Sequence, residues 1–356
     1  MRSDKTMTDA TVNRRHLLGS GAATMILRAG GAAVPLTLAG PGFAQGLRKE
    51  RWMAPSRITL LQGYAFVAQE KGFFRDEGLD IEIQQSPGTA SSLTQVAAGT
   101  STFGQAAAVT TCPPIADENA GIITIGQLAY KGFFELASLP NKPLRHPRDW
   151  QGKTIGIMSV GGTTDRLLDA MSIMTGENPA NVKKVVTGLG PSGVAFLQRG
   201  DVDGFWVFYE TRVALEMQGV KLEYLSGDSF AQLPGDSIMA PTRVVQDPAN
   251  EKMLVSFLRA AARGRAYSLD PKNETETIQL LAKYNPVEGR EVEKGKRILE
   301  LVRGYLTPPA GVKPIVNDAR QWADGIDLME RIGLIKNKGL PRERFFTNKF
   351  ADQAAS

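Results

Sequence analysis

"KGFFRDEGLDIEIQQSPGTASS", residues 71–92, sets out three elements in succession. A helical run ends on a Gly-Phe-Phe knuckle, an alternating strand follows, and the chain then enters a loop of small uncharged hydroxyl residues. In the strand, Leu79, Ile81 and Ile83 alternate with Asp80, Glu82 and Gln84, so one face is buried and the strand belongs to a covered sheet.

Working outward, "RITLLQG" (57–63) reads as a strand after a linker around residues 45–55, and Tyr64 to Lys71 reads as a helix with Phe66, Val67 and Glu70 spaced for one buried side. Beyond the loop, Leu93, Val96 and Ala97 mark a short helix over 90–98, stopped by Gly99, and "STFGQAAA" returns a strand. This is a β-α-β-α-β run. Past "IITIGQLAY" and "FFELASLP", the proline- and charge-rich "NKPLRHPRDWQG" reads as the crossing into a second unit. There the pattern repeats: strand "KTIGIMSV", loop "GGTTD", helix 166–174, strand "VKKVVTG", helix "SGVAFLQRG" and strand "VDGFWVF". "LTQVAAGTSTFGQA" (93–106) and "VAFLQRGDVDGFWV" (194–207) echo each other, which fits two lobes built to one plan. From Asp247 onward the pattern is helical, with Pro271, Pro286 and Pro308-Pro309 at the joins and the charges on solvated faces. The expected division is 56–145 plus 240–356 for lobe I and 146–239 for lobe II.

The chain has 356 residues, 42% hydrophobic and 22% charged, with a net charge of +5. The first 44 residues read as a targeting segment: Asn13-Arg14-Arg15-His16-Leu17-Leu18, a mildly apolar Ala/Gly-rich run, and small residues at Gly42-Phe43-Ala44 before Gln45. Adjacent arginines before a modest apolar run are the twin-arginine export pattern. Arg28 and several glycines interrupt that run, which falls short of the ~18 uncharged residues a membrane span needs. No Cys follows the expected cut, so no lipid anchor is expected. The segment carries most of the positive charge, leaving too little on the remainder to argue for nucleic acid or an acidic membrane as a partner.

After that cut, His146 and Cys112 are the lone histidine and cysteine. A zinc site of His and Cys ligands and a Ser-His-Asp or Cys-His triad are thereby disfavoured, and no metal or cofactor is expected. Cys112, before Pro113-Pro114, reads as a small buried apolar residue.

Ligand-binding candidates come from "PGTASS" (87–92) and "SVGGTTD" (159–165). In open α/β sheets ligands collect at the carboxyl ends of strands. Gly88 and Gly161-Gly162 would let backbone approach a ligand, and the following helix starts expose N–H groups. Thr89 and Thr163 read equally well as helix caps. In "GFWVFYETR" (204–212), Trp206 and Phe208 share one strand face, and Phe205 and Val207 the other. Phe205 and Phe208 are expected in the core, with Trp206, Tyr209 or Tyr64 lining a cleft.

"GYAFVAQEKGFFRDEGLDIEI", "SPGTASS", "RDWQGKTIGIMSVGG" and "LQRGDVDGFWVF" resemble the periplasmic substrate-binding proteins of nitrate, sulfonate, taurine and thiamine-pyrimidine importers, the NitT/TauT family, over about residues 56–240. The resemblance implies a type II periplasmic binding fold: two α/β lobes around a cleft with a helical C-terminal tail, hinge closure on a small ligand, and delivery to an ATP-driven (ABC) permease in the inner membrane. It implies a periplasmic monomer, without catalysis and without nucleic acid. Carried over, Gly63 and Tyr64 match one cleft loop of the first lobe and Gly88, Thr89, Ala90 and Ser91 another; Gly161, Gly162, Thr163, Asp165, Trp206, Tyr209 and Glu210 match the second lobe. The first-lobe turn of the family usually reads Gly-x-x-Asp-Phe, whereas here it is Gly99-Thr100-Ser101-Thr102-Phe103. Asp165 and Glu210 would disfavour a sulfonate and suit amino or ring N–H donors, leaving pyrimidine-type and sulfonate- or nitrate-type ligands as alternatives. The scaffold also resembles a pyrimidine-forming synthase that consumes its own histidine and relies on a cysteine-rich segment, and the effector domain of regulators. The cysteine-rich segment is missing here, and an export pattern stands where a DNA-reading motif would precede an effector domain. The hinge is expected near Pro143–Pro147 and Leu233–Ala240.

Overall fold

In the computed structural model, residues 46–188, 191–230 and 232–356 are described. The expected export segment at 1–44 lies outside the described residues. Among the described residues, no helix is long and apolar enough to cross a membrane.

The first strand, β1 (Arg48–Ala54), corrects the expected linker. Its charged half, Arg48 to Arg51, looks like linker in sequence, but Arg48 pairs with Glu50 at 2.6 Å and Arg51 with Glu82 of the neighbouring strand at 2.9 Å, while Trp52, Met53 and Ala54 are buried. The strand expected at 57–63 is a turn instead. Thr59 and Gln62 form a reciprocal capping box around a single 3-10 turn, Leu60–Gln62, which leads directly into α1 (Gly63–Glu70).

The remaining elements include the expected ones in their order, together with others that the sequence reading did not mark. They are α2 (Phe73–Asp76), β2 (Leu79–Gln85), α3 (Thr89–Ala98), β3 (Phe103–Ala107), α4 (Ala108–Asp117), β4 (Ile122–Gln127) and β5 (Phe134–Ser138), then β6 (Thr154–Ile157), α5 (Thr163–Met174), β7 (Lys183–Val186), α6 (Pro191–Arg199), β8 (Gly204–Phe208), α7 (Tyr209–Met217), β9 (Glu223–Ser226) and β10 (Asp236–Pro241). The helical tail holds α8 (Thr242–Gln246), α9 (Glu251–Leu269), α10 (Glu274–Leu281), α11 (Val292–Leu306), α12 (Ala319–Arg331) and α13 (Lys349–Ala354).

Two five-stranded sheets share one plan. The first runs β2-β1-β3-β10-β4 and the second β7-β6-β8-β5-β9. In each, four strands point the same way, and the strand inserted fourth is antiparallel to both neighbours. The inserted strands, β5 and β10, are the first strands formed after each passage between sheets. The passages are therefore residues 128–133 and 227–235, not the proline-rich stretch near 145. That stretch is a turn within the second lobe: His146 accepts the Arg148 amide N–H at the head of a 3-10 turn, and Trp150 is buried with its indole N–H donating to Ser172 at 2.9 Å. The prolines mark a rigid turn there. Accordingly, β5 moves from the expected lobe I to lobe II, and β10 starts lobe I at Asp236.

The core of lobe I is held by the tail. Phe257 of α9 stacks on Phe103 of β3 at 3.7 Å and on Phe74 of α2 at 5.3 Å. Helices α9 and α1 come together at Gly264, where a Cβ would sit 2.3 Å from the Tyr64 carbonyl oxygen and 2.9 Å from the Ala68 Cβ. Cys112 is fully buried in α4, and burial raises its thiol pKa. Gly264→Ala should therefore destabilise the protein by about 1–3 kcal/mol through overpacking, read as a lower melting midpoint; an unchanged midpoint would contradict this packing.

Candidate functional site

The carboxyl ends of the parallel strands of both sheets meet at one cleft. The chain leaves β1 through Pro55 and Ser56, β6 through Met158, and β8 through Tyr209 and Glu210. These residues line a small cavity together with Thr59, Leu61, Gln62 and Thr89 from lobe I and Phe208 from lobe II. Phe133 and Phe134, at the end of the first passage, and Asp236, at the end of the second, complete it. A second small cavity shares those last three residues and reaches Thr163, Asp228 and the Leu233-Pro234-Gly235 passage.

The lobes touch across this cleft. The Thr110 hydroxyl of α4 and the Thr163 hydroxyl of α5 are hydrogen-bonded at 2.8 Å. A Cβ on Gly88 would lie 2.9 Å from the Ser159 hydroxyl of the opposite lobe, so glycine is what lets these two loops meet.

The aromatic wall comes from β5 and β8, which are neighbours in register, with Phe134 opposite Phe208. Phe134 and Phe208 lie 4.9 Å apart between ring centroids, and Phe133 meets Tyr209 edge-on at 5.9 Å. In β8, Phe205 is core as expected and Val207 is core with it, whereas Trp206, expected to line a cleft, is also core. Phe208 is buried in the core as expected and, as the last residue of its strand, also lines the cavity. The Tyr209 hydroxyl is buried, faces Thr59 outside hydrogen-bond geometry, and has no partner.

Two carboxyl groups define the electrostatics. Asp236 is 5% exposed and accepts a hydrogen bond from the Gln105 amide at 2.6 Å, and Gln105 in turn accepts one from the Tyr64 hydroxyl at 3.0 Å. Burial pushes the Asp236 carboxyl up to about 6, against the opposing effect of that Gln105 bond. Glu210, 3% exposed in the first turn of α7, has one oxygen, Oε2, buried without a partner. Burial raises its pKa well above the usual carboxylate range, Glu288 adds to the rise, and Arg57 and Lys294 oppose it. Arg57 and Glu288 are themselves paired at 3.0 Å.

Of the residues singled out in the sequence, Thr89, Tyr209 and Glu210 line the first cavity and Thr163 the second. Thr89 and Thr163 do not act as caps; Gly88 and Gly162 hold those positions. The others line neither cavity. Gly63 packs against Ser268 of α9, Tyr64 holds Gln105, and Trp206 is core. Ala90 and Ser91 belong to the first turn of α3 outside the cavity lining, and Gly161 supplies a left-handed turn with φ of +71°. Gly162 lies tight against Ser159 of its own loop. Asp165, expected to face a ligand, instead accepts the Gly161 amide at 2.6 Å and pairs with Lys184 at 2.5 Å, which also holds Asp169 at 2.6 Å. That carboxylate has its charge partner within its own lobe. Missed were Asp236 and the Phe133-Phe134 pair. The paired aromatics, next to a strand start, carried a signal; a lone Asp before "SIMAP" did not.

The raised pKa of Asp236 has a stability consequence. Its unfolded value is ~3.9, so the protonated form is favoured by folding. That contribution is fully present below about pH 4 and is lost as pH rises through about 6. Relative to Asp236→Asn, which keeps an acceptor for Gln105, the wild type should lose up to about 3 kcal/mol of unfolding free energy between about pH 4 and pH 7. Parallel denaturation curves at the two pH values would contradict the buried acid.

Residues 63–274 match the model of the family described as NMT1/THI5 like. The chain is 26% identical over 250 residues to a Legionella pneumophila protein named 4-amino-5-hydroxymethyl-2-methylpyrimidine phosphate synthase, covering 64% of this chain and 74% of that one. Among solved structures it is similar to the periplasmic nitrate-binding protein NrtA of Synechocystis, with a TM-score of 0.63 and 15% identity over 87% of this chain and 88% of that one. It is also similar to the alkanesulfonate-binding protein SsuA of Xanthomonas axonopodis pv. citri, bound there to MOPS, with a TM-score of 0.58 and 19% identity over 84% and 96%. The α/β fold, two lobes with a helical tail, is the periplasmic-binding-protein fold expected from the sequence. The chain belongs to the NMT1/THI5-like family.

Proposed function

We propose that this protein is the extracytoplasmic solute-binding component of an ABC importer, capturing a small organic solute between its two lobes and passing it to a permease in the inner membrane. The observation that carries the reading is the cleft cavity, to which both lobes contribute strand-end residues: Thr59 and Thr89 on one side, Met158 and Phe208 to Glu210 on the other. A ligand touching both walls would favour the closed arrangement, and the passages at 128–133 and 227–235 are where the lobes would turn. In this reading the protein is a periplasmic monomer, exported by the twin-arginine route and without a lipid anchor, acting by binding alone and without a cofactor. Solutes of the pyrimidine (thiamine-precursor) kind and of the sulfonate or nitrate kind are the two classes to compare.

The named Legionella relative favours a second reading, a pyrimidine-forming enzyme on the same scaffold. The cavity chemistry supports binding over that alternative. Among the described residues, His146 is placed against Arg148 and Phe230 and Cys112 is enclosed in α4, and neither lines the cleft. Thermal melts of the purified protein against pyrimidines, sulfonates, nitrate, taurine and aromatic carboxylates test the proposal. A ligand at ~100-fold its dissociation constant adds about 2.7 kcal/mol, which raises the midpoint by several degrees. Recovery of the hit unaltered after prolonged incubation supports binding alone; its conversion to a product, followed by mass spectrometry, would establish the enzyme reading. Silence across the panel, with no small molecule released on denaturation, would overturn the solute-binding proposal.

A further inference from the structure

The charged lining of both cavities is acidic throughout. Glu210 and Asp236 line the first and Asp228 joins Asp236 in the second, while no Lys, Arg or His lines either among the described residues. Asp228 is engaged, accepting the Gly132 amide at 2.7 Å, and Asp236 is held on one oxygen by Gln105. Glu210 Oε2 and the Tyr209 hydroxyl differ. Each belongs to a cavity-lining residue at least nine-tenths buried, and each is without a hydrogen-bond partner.

We infer, resting on the solute-binding reading, that the cleft selects a small planar organic cation bearing N–H groups, such as an amidinium, with its charge beside Glu210 and Asp236 and its plane against the Phe134, Phe208 and Tyr209 rings. An unpaired ionised carboxylate in a cavity is costly, and a second anion brought beside it adds repulsion in a poorly screened site. A cation with N–H donors reverses both effects: it neutralises the site and supplies the donors that Glu210 Oε2 and the Tyr209 oxygen lack. The aromatic wall adds attraction for a cation lying over a ring face. The basic groups near Glu210 do not remove this preference. Arg57 pairs with Glu288 through one terminal guanidinium nitrogen, leaving its Nε buried and unpartnered, and Lys294 reaches Glu291 at 2.7 Å. The remaining ionisable groups influencing Glu210 are Glu288, Tyr209 of its own helix and, at its edge, Tyr305 of α11. The anions held by structural relatives of this fold are therefore the wrong charge for this cavity.

Because burial keeps Glu210 partly protonated near neutrality, a cation that ionises it must release protons to solvent. Three planar compounds of nearly one shape test the inference on the full chain: benzamidinium, benzamide and benzoate, followed by titration calorimetry at pH 8 in two buffers of different ionisation enthalpy. The expected order is cation, neutral amide, anion, with benzamidinium at least about tenfold tighter than benzamide. Its binding heat should depend on the buffer in the sense of proton release, with weaker binding at pH 6. In Glu210→Gln, checked for a cooperative melt, the preference over benzamide should fall severalfold and the proton release should shrink. Benzoate binding as tightly as benzamidinium, an absence of benzamidinium binding, or binding without proton release would each overturn the inference. A sulfonate or neutral pyrimidine from the wider panel would then still bind if the solute-binding reading holds, so the two failures are separable.

Discussion

The molecule depends on a topological constraint: the chain passes between the two sheets twice, and each passage delivers a strand to the interior of the sheet it enters. β5 lies between β8 and β9, and β10 between β3 and β4. An inserted strand uses both of its hydrogen-bonding edges, so neither passage can be displaced without opening a sheet. The passages are thereby fixed at the cleft, and the residues that end them, Phe133-Phe134 and Asp236, become its floor. The parallel strands bring their carboxyl ends to the same place, as this class of sheet requires of a ligand site. The tail stiffens the arrangement, with α9 against α1 and α2, and α11 touching both the Leu60–Gln62 turn and α7.

The electrostatic character of the cleft follows from what the fold buries. Asp236 begins an inserted strand and cannot reach solvent, so Gln105 and Tyr64 are recruited beneath it. Glu210 opens a helix whose amino end accommodates negative charge, yet it faces the Arg57–Glu288 pair with one oxygen unmet. Both carboxyls are consequently held toward protonation. A site with acids in this condition is poised for a donor-rich ligand, and the aromatic wall supplies surface that such a ligand can cover.

Much of this architecture was legible in the sequence because it rests on local patterning. The strand 79–85, the helix over 90–98 and the repeated second run all carry period and punctuation. The echo between 93–106 and 194–207 corresponds to α3-β3 and α6-β8, equivalent pieces of the two sheets. Legibility failed where pairing decides. Arg48 to Arg51 became a strand because Glu50 within the strand and Glu82 on its neighbour absorb the arginine charge, and "RITLLQG" became a turn through the Thr59–Gln62 capping box. Prolines near 145 looked like a boundary, whereas the true passages are short and carry aromatics or a Leu-Pro-Gly stretch. At the site, position relative to a strand end brought Thr89, Tyr209 and Glu210 to the cavity, while Asp165 was lost to a local lysine whose proximity no spacing reveals.

The most direct test of the central claim, that one solute is held between the two lobes, is a crystal structure of the protein with a ligand identified by thermal shift. The account predicts electron density enclosed between Thr89 and Asp236 on one side and Phe208 to Glu210 on the other, with the Glu210 carboxyl newly partnered. Ligand density on an outer face of either lobe, with this cleft unchanged, would contradict it.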